Sequence, residues 1–388
     1  MKRNKKSPGT EPLEPDLHVL DEALADNRIA RASEWQLVRW KFAKHKLAVV
    51  SLFFLALMYL GVILAEFLSP YDPRQPQQAY MFAPPQALHW VDKGGAFHLR
   101  PFVYGLKTVL DETTLERKVV PNEGKSYRLK FFVHGDGYKL WGLFPADLHL
   151  AGVESPGRLI LLGTDKMGRD MLSMIIYGSR VSLSIGLLGV AMSLLIGVTL
   201  GGLSGYVGGN VDIVIQRIIE FLRSIPSLPL WMALSAALPT NWTVMQTYFA
   251  IVLILSLIGW TGLARVVRGK FMAIKAEDFV MAAELDGARD LRVIFKYLLP
   301  SFMSYIIANV SLSIPHMILG ETSLSFIGLG LQAPAISWGV LLKEAQSISV
   351  LATAPWLLLP GIFVILTILA FNFVGDGLRD AADPYAKV

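Results

Sequence analysis

Cysteine is absent from the 388 residues of this chain. Without a thiol the chain can form no disulfide, no thiolate metal site and no cysteine nucleophile. Charged residues are also scarce, at 17%, whereas hydrophobic residues make up 53%. Several apolar runs exceed the roughly 18 residues that indicate a transmembrane helix. The sequence therefore predicts a polytopic membrane protein rather than a soluble domain.

Signatures of metal and nucleotide sites are missing as well. Four histidines in one polar stretch lack the spacing of metal ligands. They are His89, His98, His134 and His149. Gly124, Lys125 and Ser126 resemble the end of a phosphate-binding loop, but the position five before Gly124 is Val119 and not glycine. We therefore expect no catalytic site, metal or cofactor in this chain, and no enzymatic activity of its own.

The first 69 residues are predicted to contain a tail and one membrane crossing. Residues 1–27 combine basic residues with prolines and acids, which predicts a flexible cytoplasmic tail. From 28 to 46 basic residues interleave with Trp35 and Trp40, the pattern of an amphipathic helix in the headgroup region. Residues 47–68 form the first predicted crossing, and the preceding basic residues favour a cytoplasmic N-terminus.

A polar and aromatic segment follows at 70–158, on the opposite side of the membrane. Apolar and polar residues alternate between Tyr127 and Phe131, which predicts a strand. His134-Gly135-Asp136-Gly137 is a turn signal, and 138–144 is expected to be the returning strand. We predict a small β-rich extracytoplasmic domain at about 86–150.

The remainder, 159–388, carries further apolar runs. The crossings expected there are 181–203, 213–238, 248–267, 301–326 and 351–373. Proline is expected to interrupt the fifth crossing at Pro315, and 328–350 is predicted to be a re-entrant or interfacial segment. With about six transmembrane helices, both termini lie in the cytoplasm. Glycines in the second crossing predict close packing inside the bundle.

Two ionisable residues fall within the fifth predicted crossing, His316 and Glu321. An ionisable side chain inside a membrane span is a candidate functional residue. Both are therefore candidates for the transport pathway or its gate, with a structural role as the alternative.

The loop at 270–299 is polar and lies between two apolar runs. Residues 265–296 contain seven Lys or Arg residues and five acidic residues. Such an excess of basic residues beside membrane spans marks the cytoplasmic side. The first part of this loop is predicted to be a short helix, with small residues at Ala282 and Ala283. Gly287 permits a sharp bend, and Pro300 suits the first turn of the next helix. Small residues would let a partner protein approach the backbone closely.

This arrangement of Ala282, Ala283, Gly287 and Pro300 resembles the coupling motif of membrane subunits in ATP-binding-cassette importers. Further motifs in matching order resemble the second, C-type permease of the dipeptide, oligopeptide and nickel importers. They are Pro70-Tyr71-Asp72-Pro73, Leu162-Gly163-Thr164-Asp165, Gly168-Arg169-Asp170, Leu324-Ser325-Phe326-Ile327-Gly328-Leu329-Gly330, Ser337-Trp338-Gly339, Ala354-Pro355-Trp356 and Gly377-Leu378-Arg379-Asp380.

The resemblance implies the type I importer fold in a bacterial inner membrane, with the β-rich insertion as an addition. It also implies a homologous permease, two cytoplasmic ATPase subunits or domains that hold ATP and magnesium, an extracytoplasmic binding protein, and surrounding lipid as partners. Nucleic acid is not expected. The coupling residues implied are Met281, Ala282, Ala283, Gly287 and Pro300; Met281 stands where the broader importer pattern has glutamate.

The resemblance favours peptides as solutes, with oligosaccharides or other small solutes as alternatives. An alternative of another class is a secondary transporter or channel that works without ATP. It would be expected to carry intramembrane charge relays or inverted repeats, and neither is clear in the sequence.

Overall fold

A computed structural model describes residues 33–110 and 117–382. The predicted tail at 1–27 lies outside the described residues, as do the first residues of the predicted amphipathic helix. The helices are α1 (Glu34–Lys44), α2 (Lys46–Ile63), α3 (Ala65–Leu68), α4 (Met171–Val207), α5 (Gly209–Ser224), α6 (Ser227–Ala236), α7 (Val244–Ile274), α8 (Asp278–Leu285), α9 (Asp290–Val293), α10 (Met303–Phe326), α11 (Trp338–Glu344), α12 (Ile348–Thr353) and α13 (Leu359–Ala382).

Within the described residues, five helical stretches are long and apolar enough to cross a membrane. They are Lys46–Ile63, Met171–Val207, Val244–Ile274, Asp290–Phe326 and Pro355–Ala382. The third predicted crossing, 213–238, is not one helix, because α5 ends at Ser224 and α6 begins at Ser227. Ile225 is extended, as expected for a residue that precedes a proline. Pro226 therefore divides this crossing between two short helices.

The predicted interruption at Pro315 is wrong. Helix α10 runs through Pro315 without a break. Pro315 is buried, and packing against neighbouring helices makes proline tolerable in membrane helices.

The insertion between α3 and α4 is an antiparallel sheet in the order β1-β2-β3-β4. Its strands are β1 (His89–Val91), β2 (Phe97–Leu110), β3 (Arg117–Leu140) and β4 (Phe144–Val153). The long strand β3 pairs with β2 along its first half and with β4 along its second. A β-rich insertion is confirmed, but the expected turn at His134–Gly137 is wrong. Those residues form a register shift inside β3, and the chain turns at 141–143 instead.

Helices α4 and α7 form the centre of the bundle, and glycine makes their close approach possible. A Cβ on Gly201 would lie 2.5 Å from the backbone oxygen of Ala264, so no larger residue fits. Gly197 and Gly205 face α7 in the same way. The predicted interior position of this glycine-rich helix is confirmed.

Candidate functional site

The predicted coupling segment, 270–299, contains helix α8 and a bend after it. Asp278 lies in the first turn of α8, where a negative charge favours the helix dipole. At the other end the amide of Gly287 donates to Glu284 O at 2.9 Å and the amide of Ala288 donates to Ala283 O at 3.1 Å. This hydrogen-bond pair is a Schellman motif, which needs a residue with positive φ, and Gly287 has φ +77°. The predicted bend at Gly287 is confirmed.

One face of α8 is packed against the rest of the chain. Val280 and Ala283 are buried, and Val280 belongs to an apolar cluster with residues from α7 and from the helical stretch that follows α8. Phe271, Val293 and Ile294 are buried members of this cluster. Ala283 thus contacts its own chain, and its side chain is not available to a partner protein.

The opposite face of α8 is apolar and exposed. Leu285 is 89% exposed, and Phe279, Met281 and Ala282 are also exposed. Such a contiguous set of exposed apolar side chains is typical of a protein-interaction surface. The described contacts therefore leave Ala282, rather than Ala283, in a position where a partner could approach.

One polar contact holds the coupling segment near the end of α4, and a second fixes the helices beside it. Tyr206 Oη donates to Glu284 Oε1 at 2.7 Å. Close by, the guanidinium of Arg268 donates to both carboxylate oxygens of Asp212 at 2.6 Å. A bidentate pair of this kind fixes the geometry between α5 and α7.

From α8 the chain continues into an almost unbroken helical stretch of 37 residues, Asp290–Phe326. Its first part is α9, followed by a π-helical turn at Ile294–Leu298 and a 3-10 turn at Leu299–Phe302. Pro300 lies in the 3-10 turn, just before α10, where the missing amide costs little. At 1.5 Å per residue the stretch is about 55 Å long, so it joins the coupling segment to the far end of the bundle.

Glu321 lies near that far end and is completely buried. Ser182 Oγ donates to one carboxylate oxygen at 3.1 Å, and Ser325 Oγ donates to the other at 2.9 Å. Each serine in turn accepts a backbone amide, from Trp338 at 3.1 Å and from Leu331 at 3.0 Å. No Lys, Arg or His within 33–110 or 117–382 forms an ion pair with Glu321. Buried polar groups are acceptable when they are hydrogen-bonded in this way.

The structure does not bring His316 and Glu321 together. His316 is exposed, and five helical residues separate the two positions by about 140° around α10. A pathway or gate role for either residue stays a prediction. The motifs at 324–330 and 337–339, in contrast, meet around Glu321. Gly339 packs against Thr322 and Ser325.

A second polar cluster at the same end joins the insertion to the bundle. Asp165 Oδ1 accepts the amides of Met167 at 2.9 Å and Arg169 at 2.8 Å, and the Arg169 guanidinium pairs with Asp165 Oδ2. Arg169 also lies 3.4 Å from Glu344, and Trp356 Nε1 donates to Thr164 O at 2.8 Å. Sequence reasoning missed this cluster. Its only signal in the sequence was the order of the motifs at 162–165, 168–170 and 354–356.

Groups of three or more potential metal ligands are absent from the part of the chain that the structure describes. Gly124 to Ser126, which resembles a phosphate-loop end, lies within strand β3. A phosphate loop connects a strand to a helix N-terminus, so this context does not fit nucleotide binding.

Five helical stretches long enough to cross a membrane and a β insertion define a polytopic membrane protein. Two family models match the chain. The model described as the inner membrane component of binding-protein-dependent transport systems matches 197–388, and the N-terminal transmembrane domain of oligopeptide transport permease C matches 33–85. The chain belongs to this family of inner membrane transport components.

Curated relatives agree with that assignment. The chain is 39% identical over 223 residues to the dipeptide transport permease DppC of Bacillus subtilis, covering 57% of this chain and 68% of that protein. It is 40% identical to the oligopeptide transport permease OppC of Haemophilus influenzae, covering 57% and 69%. For the glutathione transport permease GsiD of Pectobacterium atrosepticum the identity is 37%, covering 60% and 75%. An inward-facing structure of the MetNI methionine ABC transporter is 16% identical, with a TM-score of 0.41, covering 55% of this chain and 98% of that one. That score is too low to add to the family assignment.

Proposed function

We propose that this chain is one of two permease subunits of an ATP-binding-cassette importer that brings peptides or similar small solutes across the bacterial cytoplasmic membrane. Its partners would be a homologous permease, two cytoplasmic ATPase subunits or domains, and an extracytoplasmic binding protein. ATP and magnesium would be held by the ATPases, and this chain would not hydrolyse ATP. The family assignment supports the class of machinery.

The observation that carries the proposal is the two-sided packing of α8. Its inner face, Val280 and Ala283, is fixed to the bundle, and its outer face, around Ala282 and Leu285, is apolar and free within the described chain. A helix that is anchored on one side and exposed on the other can transmit the movement of a bound partner. The helical stretch after α8 then extends the movement along the bundle.

In the mechanism we propose, closure of the ATPases on nucleotide moves α8 and tilts α7 and α10. The pathway between the two permeases then changes the side to which it is open. Nucleotide can drive this change only if it binds the two states with different affinity. The insertion is proposed to receive the binding protein or to cover the pore mouth.

Peptides are the proposed solutes because the relatives named for dipeptide, oligopeptide and glutathione transport share peptide chemistry. Oligosaccharides or another small solute remain the alternative. A binding assay on the solute-binding protein that works with this chain decides between them. Uptake into vesicles with and without ATP decides between this machinery and a secondary transporter or channel.

Docking at α8 can be tested with two neighbouring cysteines, because the chain has none of its own. Ala282→Cys and Ala283→Cys differ by one position, and the first is exposed while the second is buried. In membranes that lack the ATPase, a water-soluble maleimide should label Ala282→Cys and spare Ala283→Cys. Co-expression of the ATPase should protect Ala282→Cys.

Gly269→Cys is the control for general access from the same side, since Gly269 is exposed on α7. It should label equally with and without the ATPase. If Ala282→Cys stays equally reactive in the assembled complex, or if it reacts only from the outside of intact cells, the proposed coupling role is incorrect.

A further inference from the structure

We propose that the tip of the β3–β4 hairpin, residues 141–144, inserts into the membrane leaflet at the end of α2 and binds phospholipid. The hairpin tip is defined here as Trp141, Gly142, Leu143 and Phe144. This inference depends on the membrane position of α2 and not on the transported solute or the ATPase.

The hairpin tip is apolar and exposed. Trp141 is 54% exposed, Leu143 72% and Phe144 59%. Trp141 has φ +53° and Gly142 has φ +76°. A bulky residue with positive φ is unusual and costs conformational energy. The turn thus places Trp141 and Leu143 beyond the end of the sheet, next to Phe144, the first residue of β4.

Two contacts fix the direction in which the hairpin points. His149, on β4, lies with Nδ1 2.6 Å from the backbone oxygen of Ser69, which follows α3. Trp141 Nε1 donates to the backbone oxygen of Ile63, the last residue of α2, at 2.8 Å. Ile63 is closer to the membrane than Ser69, because it ends the membrane-crossing helix α2. The hairpin contacts Ser69 through His149 and Ile63 through Trp141, so it points toward the membrane. The tip is therefore the part of this hairpin nearest the bilayer.

The helix beside the tip leaves most of its apolar surface uncovered by the described chain. Only Ala48, Ser51 and Leu55 are buried in α2, whose 18 residues are strongly apolar. At 1.5 Å per residue α2 is about 27 Å long, close to the thickness of the hydrocarbon core. Ile63 thus marks the boundary between hydrocarbon and headgroups, and the hairpin tip lies at that boundary.

The composition of the tip fits this depth. Tryptophan is enriched at membrane interfaces, where its ring is in apolar surroundings and its N–H remains bonded. Lys139 is exposed and lies two residues before Trp141 on β3. Its ammonium can reach the phosphates of the headgroups while its alkyl chain lies along the apolar surface. An apolar tip with a flanking cation is the pattern expected for contact with phospholipid.

The experiment uses Leu143→Cys in the full chain, labelled with a nitrobenzoxadiazole fluorophore and reconstituted into phosphatidylcholine and phosphatidylglycerol nanodiscs. Leu110→Cys is the matched control, because Leu110 is 54% exposed and pairs with Arg117 at the other end of β3. Contact with acyl chains predicts blue-shifted emission at 143 and about twofold quenching by brominated lipids. The probe at 110 should show neither effect.

Phe144→Cys is a second tip position in case Leu143→Cys does not fold. Equal emission and equal quenching at the tip and at 110 would overturn the proposal. So would a blue shift at the tip that brominated lipids do not quench and that requires a co-purified protein, because the occupant would then be a protein and not lipid.

Discussion

The two ends of the helical bundle are held by different kinds of contact. At the end near the insertion, hydrogen bonds join separate parts of the chain, from Arg169 to Glu344, from Trp356 to Thr164 and around Glu321. At the end near the coupling segment, the Arg268–Asp212 pair joins α5 to α7, but α8 itself is held mainly by an apolar cluster and by one bond from Tyr206. Hydrogen bonds are directional, whereas apolar contacts allow small sliding movements. We infer that the insertion end is the rigid end and the coupling end is the movable one.

The strongest test of this comparison is Trp338→Ala at the insertion end. Trp338 is fully buried, and its Nε1 donates to Ile175 O at 3.1 Å. Removal of such a side chain leaves a cavity and is expected to cost about 3–5 kcal/mol. The thermal unfolding midpoint of the purified protein should fall accordingly.

Trp242→Ala is the control, because Trp242 is exposed in a loop. Its midpoint should stay close to that of the unchanged protein. If both variants have the same midpoint, the hydrogen-bonded end is not the stable part of the bundle, and the comparison is wrong.

A second test uses pH at the same end. Burial raises the pKa of Asp170 from 3.8 to about 6, against the opposing effects of Ser173 and Arg158. Asp170 Oδ1 has no hydrogen-bond partner among the described residues. Because the folded protein holds this proton more tightly, the contribution of Asp170 to stability is fully present below about pH 4 and is lost as the pH rises through about 6. The loss is on the order of 3 kcal/mol, from about 1.4 kcal/mol per pKa unit.

Asp170→Asn removes the titrating group and keeps an acceptor at the N-cap of α4, where Asn and Asp are equally good. The unfolding midpoint of this variant should change less between pH 4 and 6 than that of the unchanged protein. The unfolding midpoint of Asp170→Asn will still depend on pH, because burial and the neighbouring Asp165 also raise the pKa of Glu344. If the unfolding midpoint of Asp170→Asn depends on pH as strongly as that of the unchanged protein, Asp170 is not the group that titrates.

Hydropathy predicted most of the bundle, because a membrane crossing requires a long apolar run regardless of its neighbours. The helix at α8 and the bend at Gly287 were also predictable, since the backbone conformation there depends on local sequence. The pairing of Glu321 with Ser182 was not, because 139 positions separate the two residues. Only the fold brings them into contact.

The wrong predictions share a physical cause. His134–Gly137 has the composition of a turn, but the same glycines permit a register shift inside a strand, and pairing with β4 decides the outcome. Pro315 lacks an amide, yet it is buried by its neighbours and α10 stays continuous. In both cases tertiary contacts decided between two local conformations.

The smallest expected change in stability, and the most specific test of the movable end, is Gly287→Val. Gly287 has φ +77°, and no atom lies within 4 Å of the position that a Cβ would take. The cost is therefore conformational, roughly 1–3 kcal/mol, and local to the bend. We expect normal membrane insertion and a smaller fall in the unfolding midpoint than in Trp338→Ala, but ATP hydrolysis that no longer drives solute uptake in reconstituted vesicles.

Gly269→Val is the control that distinguishes the effect of the backbone bend at Gly287 from the effect of adding a valine side chain. Gly269 also has open space around a Cβ, but it lies inside helix α7, where valine is tolerated. Uptake per ATP hydrolysed should thus stay normal in Gly269→Val and fall in Gly287→Val. Full coupling in both variants would mean that the bend after α8 does not transmit movement, and that the apolar attachment of this end is as rigid as the hydrogen-bonded end.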